Sequence, residues 1–168
     1  MATSNSAAPV TRQVGAMTVT LKSDLEVELS RVFNAPRSLV FEAHTKPEHM
    51  KRWWGPRDTT MVSCEMDFRP GGAWRYVLRK ASGHEYAFSG VYREIVPPER
   101  LSWTFSFEGA PGATVETLTF VERDGRTTLT ATCRAGSIAE RDGIVNSGME
   151  KGAAETYDRL EEHLRTMA

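Results

Sequence analysis

The feature that constrains this chain most is a change of period near residue 135. From Thr59 to Arg134, apolar and polar residues alternate and turn residues interrupt them. From Met149 onward, Met149, Ala153, Thr156, Tyr157, Leu160 and Leu164 fall at i, i+4, i+7, i+8, i+11 and i+15. A period of two describes strands with one buried face; a spacing of three and four describes one face of a helix. A long run of strands followed by one amphipathic helix leaves few solutions. The sheet must hide a face, and that helix is the only long element able to cover it. The strands are joined by short turns, so the sheet is expected to be antiparallel.

The individual strands are legible. Leu25, Val27 and Leu29 alternate with Glu26, Glu28 and Ser30 in the first, and Thr18 to Leu21 reads as its forerunner across a Lys22-Ser23-Asp24 turn. Met61 to Phe68 is a strand that Arg69-Pro70-Gly71-Gly72 turns, and Trp74, Tyr76 and Leu78 alternate along the next. Glu85 to Val96 ends at Pro97-Pro98. Leu101, Trp103, Phe105 and Phe107 alternate with Ser102, Thr104 and Ser106. Val115 to Val121 and Thr127 to Cys133 flank Asp124-Gly125, a strong hairpin signal. The count is about seven strands. Between the first two of these, Asn34-Ala35-Pro36 predicts a short helix capped at Asn34 or Ala35. Thr45-Lys46-Pro47-Glu48 predicts a second, capped by Thr45 and stopped at Trp53-Trp54-Gly55-Pro56. A further helical piece around Ile138 to Val145 is expected to break near Gly143 and Gly148.

The prediction is therefore one α+β domain over residues 17–168, preceded by a flexible arm over residues 1–16. A sheet of seven twisted strands curls, and a curled sheet meets a straight helix along a line. Space remains at one end, so an apolar cavity is expected. The formal net charge of −1 supplies no field to draw the chain to nucleic acid or an anionic membrane. The segment MATSNSAAPVTRQ has no apolar core of a secretory signal, and no run approaches a membrane span, so a cytoplasmic protein is expected. Cys64 and Cys133 read as free thiols rather than a disulfide.

Several residues are candidates for the cavity wall. Trp74, Tyr76, Trp103 and Phe105 sit on strand faces that read as concave, and the alternative is plain core packing. Trp53 and Trp54 suit either core or the cavity mouth. Glu116 is in phase with Leu118 and Phe120, which would aim a carboxylate inward; the inverted phase, with Val115 and Val121 inside, leaves it in water. Met149 and Tyr157 flank Ala153 on the inner helix face, where a small residue leaves volume. No metal site is expected: His44, His49, His84 and His163 lie on different elements, and the first two are not at i, i+4. No nucleophilic triad and no phosphate-binding loop stands out, and no cofactor is expected.

Seven segments in order carry a family resemblance: Arg31-Val32-Phe33-Asn34-Ala35-Pro36, His49-Met50-Lys51-Arg52-Trp53-Trp54-Gly55-Pro56, Asp67-Phe68-Arg69-Pro70-Gly71-Gly72, Gly90-Val91-Tyr92, Pro97-Pro98-Glu99-Arg100-Leu101, Asp124-Gly125-Arg126-Thr127 and Ser147-Gly148-Met149-Glu150. Over roughly residues 18 to 166 the chain resembles the activator-of-Hsp90-ATPase-homologue branch of the START/Bet v 1-like superfamily. The resemblance implies the helix-grip fold, two short helices after the first strand, and binding of a small apolar or amphipathic molecule. Many relatives carry Trp where this chain has Ala153. The resemblance does not imply Hsp90 binding, because in the eukaryotic co-chaperone a separate N-terminal domain makes the main contacts. Two other roles stay open: a pocket enzyme of cyclase or hydrolase type using Glu116 and Tyr157, and a stress-related or chaperone-accessory interaction protein. Self-association into a homodimer through a sheet edge also stays open.

Overall fold

A computed structural model describes residues 10–168. Three strands come first: β1 (Val10–Val14), β2 (Met17–Leu21) and β3 (Glu26–Phe33). Two short helices follow, α1 (Arg37–Glu42) and α2 (Pro47–Trp53). Six strands come next: β4 (Thr59–Met66), β5 (Ala73–Lys80), β6 (Glu85–Val96), β7 (Arg100–Phe107), β8 (Thr114–Arg123) and β9 (Arg126–Arg134). Helices α3 (Ile138–Asn146) and α4 (Met149–Met167) complete the chain. All strand pairs are antiparallel in one sheet of order β1-β2-β3-β9-β8-β7-β6-β5-β4. The α1–α2 passage carries the chain from β3 to the far edge. The meander then returns strand by strand until β9 pairs with β3.

Nine strands stand where about seven were expected, and the difference lies at the N-terminal side. β2 is the forerunner strand at full standing. β1 replaces the last third of the expected flexible arm; residues 1–9 of that arm lie outside the described residues. The strand was hidden because four of its five residues are exposed, so it shows no alternation. Backbone pairing holds it instead, in a hairpin whose Gly15 adopts φ 62 between the paired Val14 and Met17.

The helix caps also differ from expectation. Pro36 rather than Asn34 or Ala35 is the N-cap of α1, and its fixed φ of −67 suits that place. The N-cap of α2 is Lys46, with Pro47 at the first helical position. The Thr45 hydroxyl turns back and donates to the Glu42 carbonyl at 2.8 Å. Helix α3 runs through Gly143 without a break. Ser137 and Glu140 start it with a reciprocal pair of bonds: the Ser137 hydroxyl accepts from the Glu140 N–H and the Glu140 carboxylate accepts from the Gly136 N–H. Gly148, at φ 79, separates α3 from α4.

The second half of α4 closes the core. Tyr157, Leu160 and Leu164 are buried against Val19 of β2 and Phe33 of β3, among others. Fully burying a Leu side chain stabilises the fold by about 1.5–3 kcal/mol. Polar bonds then fix the helix in register. Arg159 donates to the carbonyls of Gly55 (2.8 Å) and Pro56 (3.2 Å) just past the end of α2. His49 Nδ1 meets His163 Nε2 at 2.9 Å, and Arg31 pairs with Asp158. The first half of α4 packs less closely: Met149, Ala153 and Ala154 are only partly buried against the core, and there the interior is open.

Candidate ligand-binding site

The cavity has a volume of about 690 Å³. That falls within the ordinary range for small-molecule sites. Strands β5 to β9 form its floor, the first two turns of α4 form its roof, and the mouth lies between Trp54-Gly55-Pro56, the 110–113 loop and α3. All eight residues singled out in the sequence, Trp54, Trp74, Tyr76, Trp103, Glu116, Met149, Ala153 and Tyr157, line it.

The Trp53-Trp54 pair divides. Trp53 is the last residue of α2, 1% exposed, with its indole N–H donating to the Ala43 carbonyl at 3.0 Å. Trp54 leaves the helix with extended backbone, so its side chain points elsewhere, over the cavity. Its ring lies 5.0 Å from Tyr76 and 5.2 Å from Phe88, both edge-on. Trp74 continues the wall, 4.6 Å from Tyr76 and 5.7 Å from Phe105. Edge-to-face and offset contacts of this kind add about 0.5–1.5 kcal/mol per pair to area burial.

Gly90 makes this wall possible. It is paired with Trp74 across β5 and β6, and a Cβ there would sit 1.8 Å from the Thr104 carbonyl oxygen and 2.8 Å from the Trp74 indole nitrogen. Both β7 and the indole press on the position. Gly90→Ala is therefore expected to destabilise the protein by about 2 kcal/mol and displace Trp74. Urea unfolding followed by tryptophan fluorescence measures it; a variant with unchanged midpoint and spectrum contradicts the reading.

On the roof, Gly152 faces Pro56, and a Cβ there would meet Pro56 Cγ in ordinary contact at 3.4 Å. Ala153 beside it presents only a methyl to the cavity. Met149 stands one turn before it. Tyr157 stands one turn after, edge-on to Phe33 at 5.8 Å.

Glu116 faces in. Its register partners are Trp103 on β7 and Cys133 on β9. The inverted phase fails because Val121 is exposed. The Trp103 indole N–H donates to Glu116 Oε2 at 3.1 Å. The other oxygen makes no hydrogen bond among the described residues, and the surface Glu116 keeps belongs to the cavity. Burial pushes its carboxyl up to about 7, against the opposing Trp103 bond. Burial also raises Tyr157 and pushes Cys133 up to about 12, with the Glu116 charge adding to both. Those groups stay protonated, so Cys133 is no nucleophile and the phenol is a hydrogen-bond donor. Both cysteines are free and half-buried. Among the described residues no group of three or more His, Cys, Asp or Glu side chains converges on a metal position.

Sequence reasoning missed part of the lining. Phe88 and Tyr92 belong to the alternation of β6 and were open to the same reasoning as Trp74. The 110–113 loop and the α3 residues Gly143 and Ile144 carry no periodic signal; only the chain path brings them to the mouth.

An antiparallel sheet curved about a C-terminal helix, with a cavity between them, is the helix-grip arrangement of START-like domains. The chain belongs to the activator of Hsp90 ATPase homolog 1-like family, whose sequence profile matches residues 34–165. Solved bacterial structures agree in fold. A protein of Rhodobacter sphaeroides superposes with a TM-score of 0.85 at 24% identity, over 90% of this chain and 99% of that one. A protein of Chromobacterium violaceum does so with a TM-score of 0.76 at 28% identity, over 84% of this chain and 98% of that one. An AHSA1 protein of Silicibacter pomeroyi gives 0.72 at 19% identity, over 85% and 99%. No protein among curated sequences matches the chain. No helix among the described residues is long and apolar enough to cross a membrane.

Proposed function

We propose that this protein binds a small apolar or amphipathic molecule in the cavity between the sheet and α4. One observation carries the reading: about 690 Å³ of space walled by aromatic rings, with a carboxyl group at its depth. The aromatic wall supplies apolar area and shape, and Glu116 supplies orientation. Family membership is consistent with a ligand-binding or accessory role. Delipidated protein screened by thermal unfolding against apolar alcohols, amines, acids and polycyclic aromatics tests it. A ligand present at a hundred times its Kd stabilises by about 2.7 kcal/mol, which for a domain of this size raises Tm by about 5–10 °C. A flat response across the panel, with no quenching of cavity tryptophan fluorescence, rejects it.

A second reading, acid–base catalysis on the bound molecule, is favoured by the Glu116 carboxyl near 7 inside a largely apolar cavity. Glu116 would move the proton and Tyr157 would donate a hydrogen bond. Glu116→Gln and Tyr157→Phe retaining full turnover on an identified substrate would remove both assignments.

A further inference from the structure

The charges along the cavity say which amphiphile belongs there. Among the described residues that line it there is no Lys and no Arg, although the chain has 21 of them. The charged side chains are two carboxylates, Glu116 at depth and Glu140 at the mouth. Glu140 is already occupied, accepting from the Gly136 N–H at 2.8 Å as part of the α3 start. Glu116 is half occupied, with Oε1 unpartnered in the cavity. His44 also lines the space but is pushed down to about 4 by burial, so it supplies no positive charge at neutral pH. An anionic head group would enter past one carboxylate, reach another, and find no cation. A protonated amine would find a carboxylate and the faces of several aromatic rings, the two elements that recognise alkylammonium ions.

We propose that the ligand is a hydrophobic amine, its ammonium head paired with Glu116 beside Trp103 and its apolar body on the Trp54, Trp74 and Tyr76 wall. This rests on the cavity being a binding site at all, and it adds the charge and orientation of what is bound. The titratable groups that feel Glu116 are Tyr76 on β5, Cys133 on β9 and Tyr157 on α4, all held protonated and neutral by burial. None competes with the ligand as counter-ion. Below neutral pH the carboxyl carries a proton, so an ammonium ion displaces it: the acid and the ammonium give an ion pair and one proton released to solvent. Amine binding therefore tightens as pH rises through about 7.

The test uses three probes of one chain length, each below its aggregation concentration: decylammonium, 1-decanol and decanoate. Calorimetry and quenching of tryptophan fluorescence at pH 7.5 report affinity. Decylammonium is expected to bind at least about tenfold tighter than decanol, and decanoate at least about tenfold weaker. Repeating the amine titration at pH 6 in buffers of different protonation enthalpy is expected to show about one proton released, falling toward zero by pH 8.5. Glu116→Gln brings the amine down to the level of the alcohol. Decanoate binding as tightly as the amine, or an amine that releases no proton at pH 6, overturns the proposal while decanol binding keeps the cavity reading. If none of the three binds, the amine proposal is overturned, and the cavity reading stands or falls on the broader thermal screen. The wild-type series decides alone should the variant fold poorly.

Discussion

Glu116→Gln is expected to melt about 6–12 °C higher, relative to wild type, at pH 8 than at pH 4. The Glu116 carboxyl is raised from 4.5 to about 7 by burial in the folded protein. A raised acid is stable in its protonated form, so its contribution to folding is fully present below pH 4.5 and lost as pH rises through 7. A shift of this size corresponds to about 3 kcal/mol, and for a domain of this length each kcal/mol moves Tm by about 2–4 °C. Gln keeps the oxygen that accepts from Trp103 and carries no charge at any pH, so it escapes the alkaline loss. The difference between variant and wild type, rather than either Tm, carries the result, because other groups cancel in it.

His44 shows why wild type alone would conceal the effect. It is 5% exposed, bonded through Nδ1 to the Val40 carbonyl at 2.7 Å, and lowered by burial from 6.5 to about 4. Its neutral form belongs to the fold, so its contribution is present above pH 6.5 and lost as pH falls through 4. Between pH 4.5 and 6.5 the two groups pull stability in opposite directions. The variant unmasks the acid slope of His44. Thermal melts of both proteins across pH 4–8 measure this; a constant difference in Tm would show that Glu116 titrates alike in the folded and unfolded chain and is open to water.

Ala153→Trp is expected to weaken binding of an apolar ligand close to a hundredfold while leaving the fold intact. Ala153 stands on the roof, one turn from Met149 and one turn from Tyr157, with open volume beneath it. An indole there occupies space the ligand needs. Losing on the order of 100 Å² of apolar contact, at about 25 cal/mol per Å², weakens binding by about 2.5 kcal/mol, close to a hundredfold. The void is filled rather than overpacked, so Tm should hold or rise. Titration of a ligand identified by the thermal screen, with melts of the free proteins beside it, gives both numbers. Unchanged affinity would place the ligand outside this cavity.

The legible parts of this molecule are those governed by local period. Trp74, Tyr76 and Trp103 could be proposed for one concave face because they alternate with Arg75, Val77, Ser102 and Thr104 along their strands, whereas the phase of Glu116 on β8 stayed open. Ala153 and Tyr157 could be assigned to one helix face because of their spacing. The illegible parts obey no period. β1 is held by backbone pairing to β2, which leaves four of its five side chains in water and no pattern to read. The caps at Pro36 and Lys46 depend on where the chain must turn to cross from β3 to β4, and Thr45, a fair cap by type, is spent on α1.

The sequence by itself determined the antiparallel meander and the single covering helix, because alternation and helical spacing follow from backbone geometry alone, and its seven ordered segments carried the family; for the cavity wall it offered candidates, with core packing as the alternative. Only the tertiary structure decided that the space stays open under Ala153, that Trp53 and Trp54 part company, and that Glu116 turns toward the cavity with one oxygen bonded to Trp103. Those outcomes depend on how strands far apart in sequence curve toward α4, on Gly90 letting β7 and Trp74 close in, and on the 110–113 loop and α3 meeting at the mouth. The absence of any lysine or arginine from that lining is likewise a property of the assembled wall, since the chain as a whole is almost neutral.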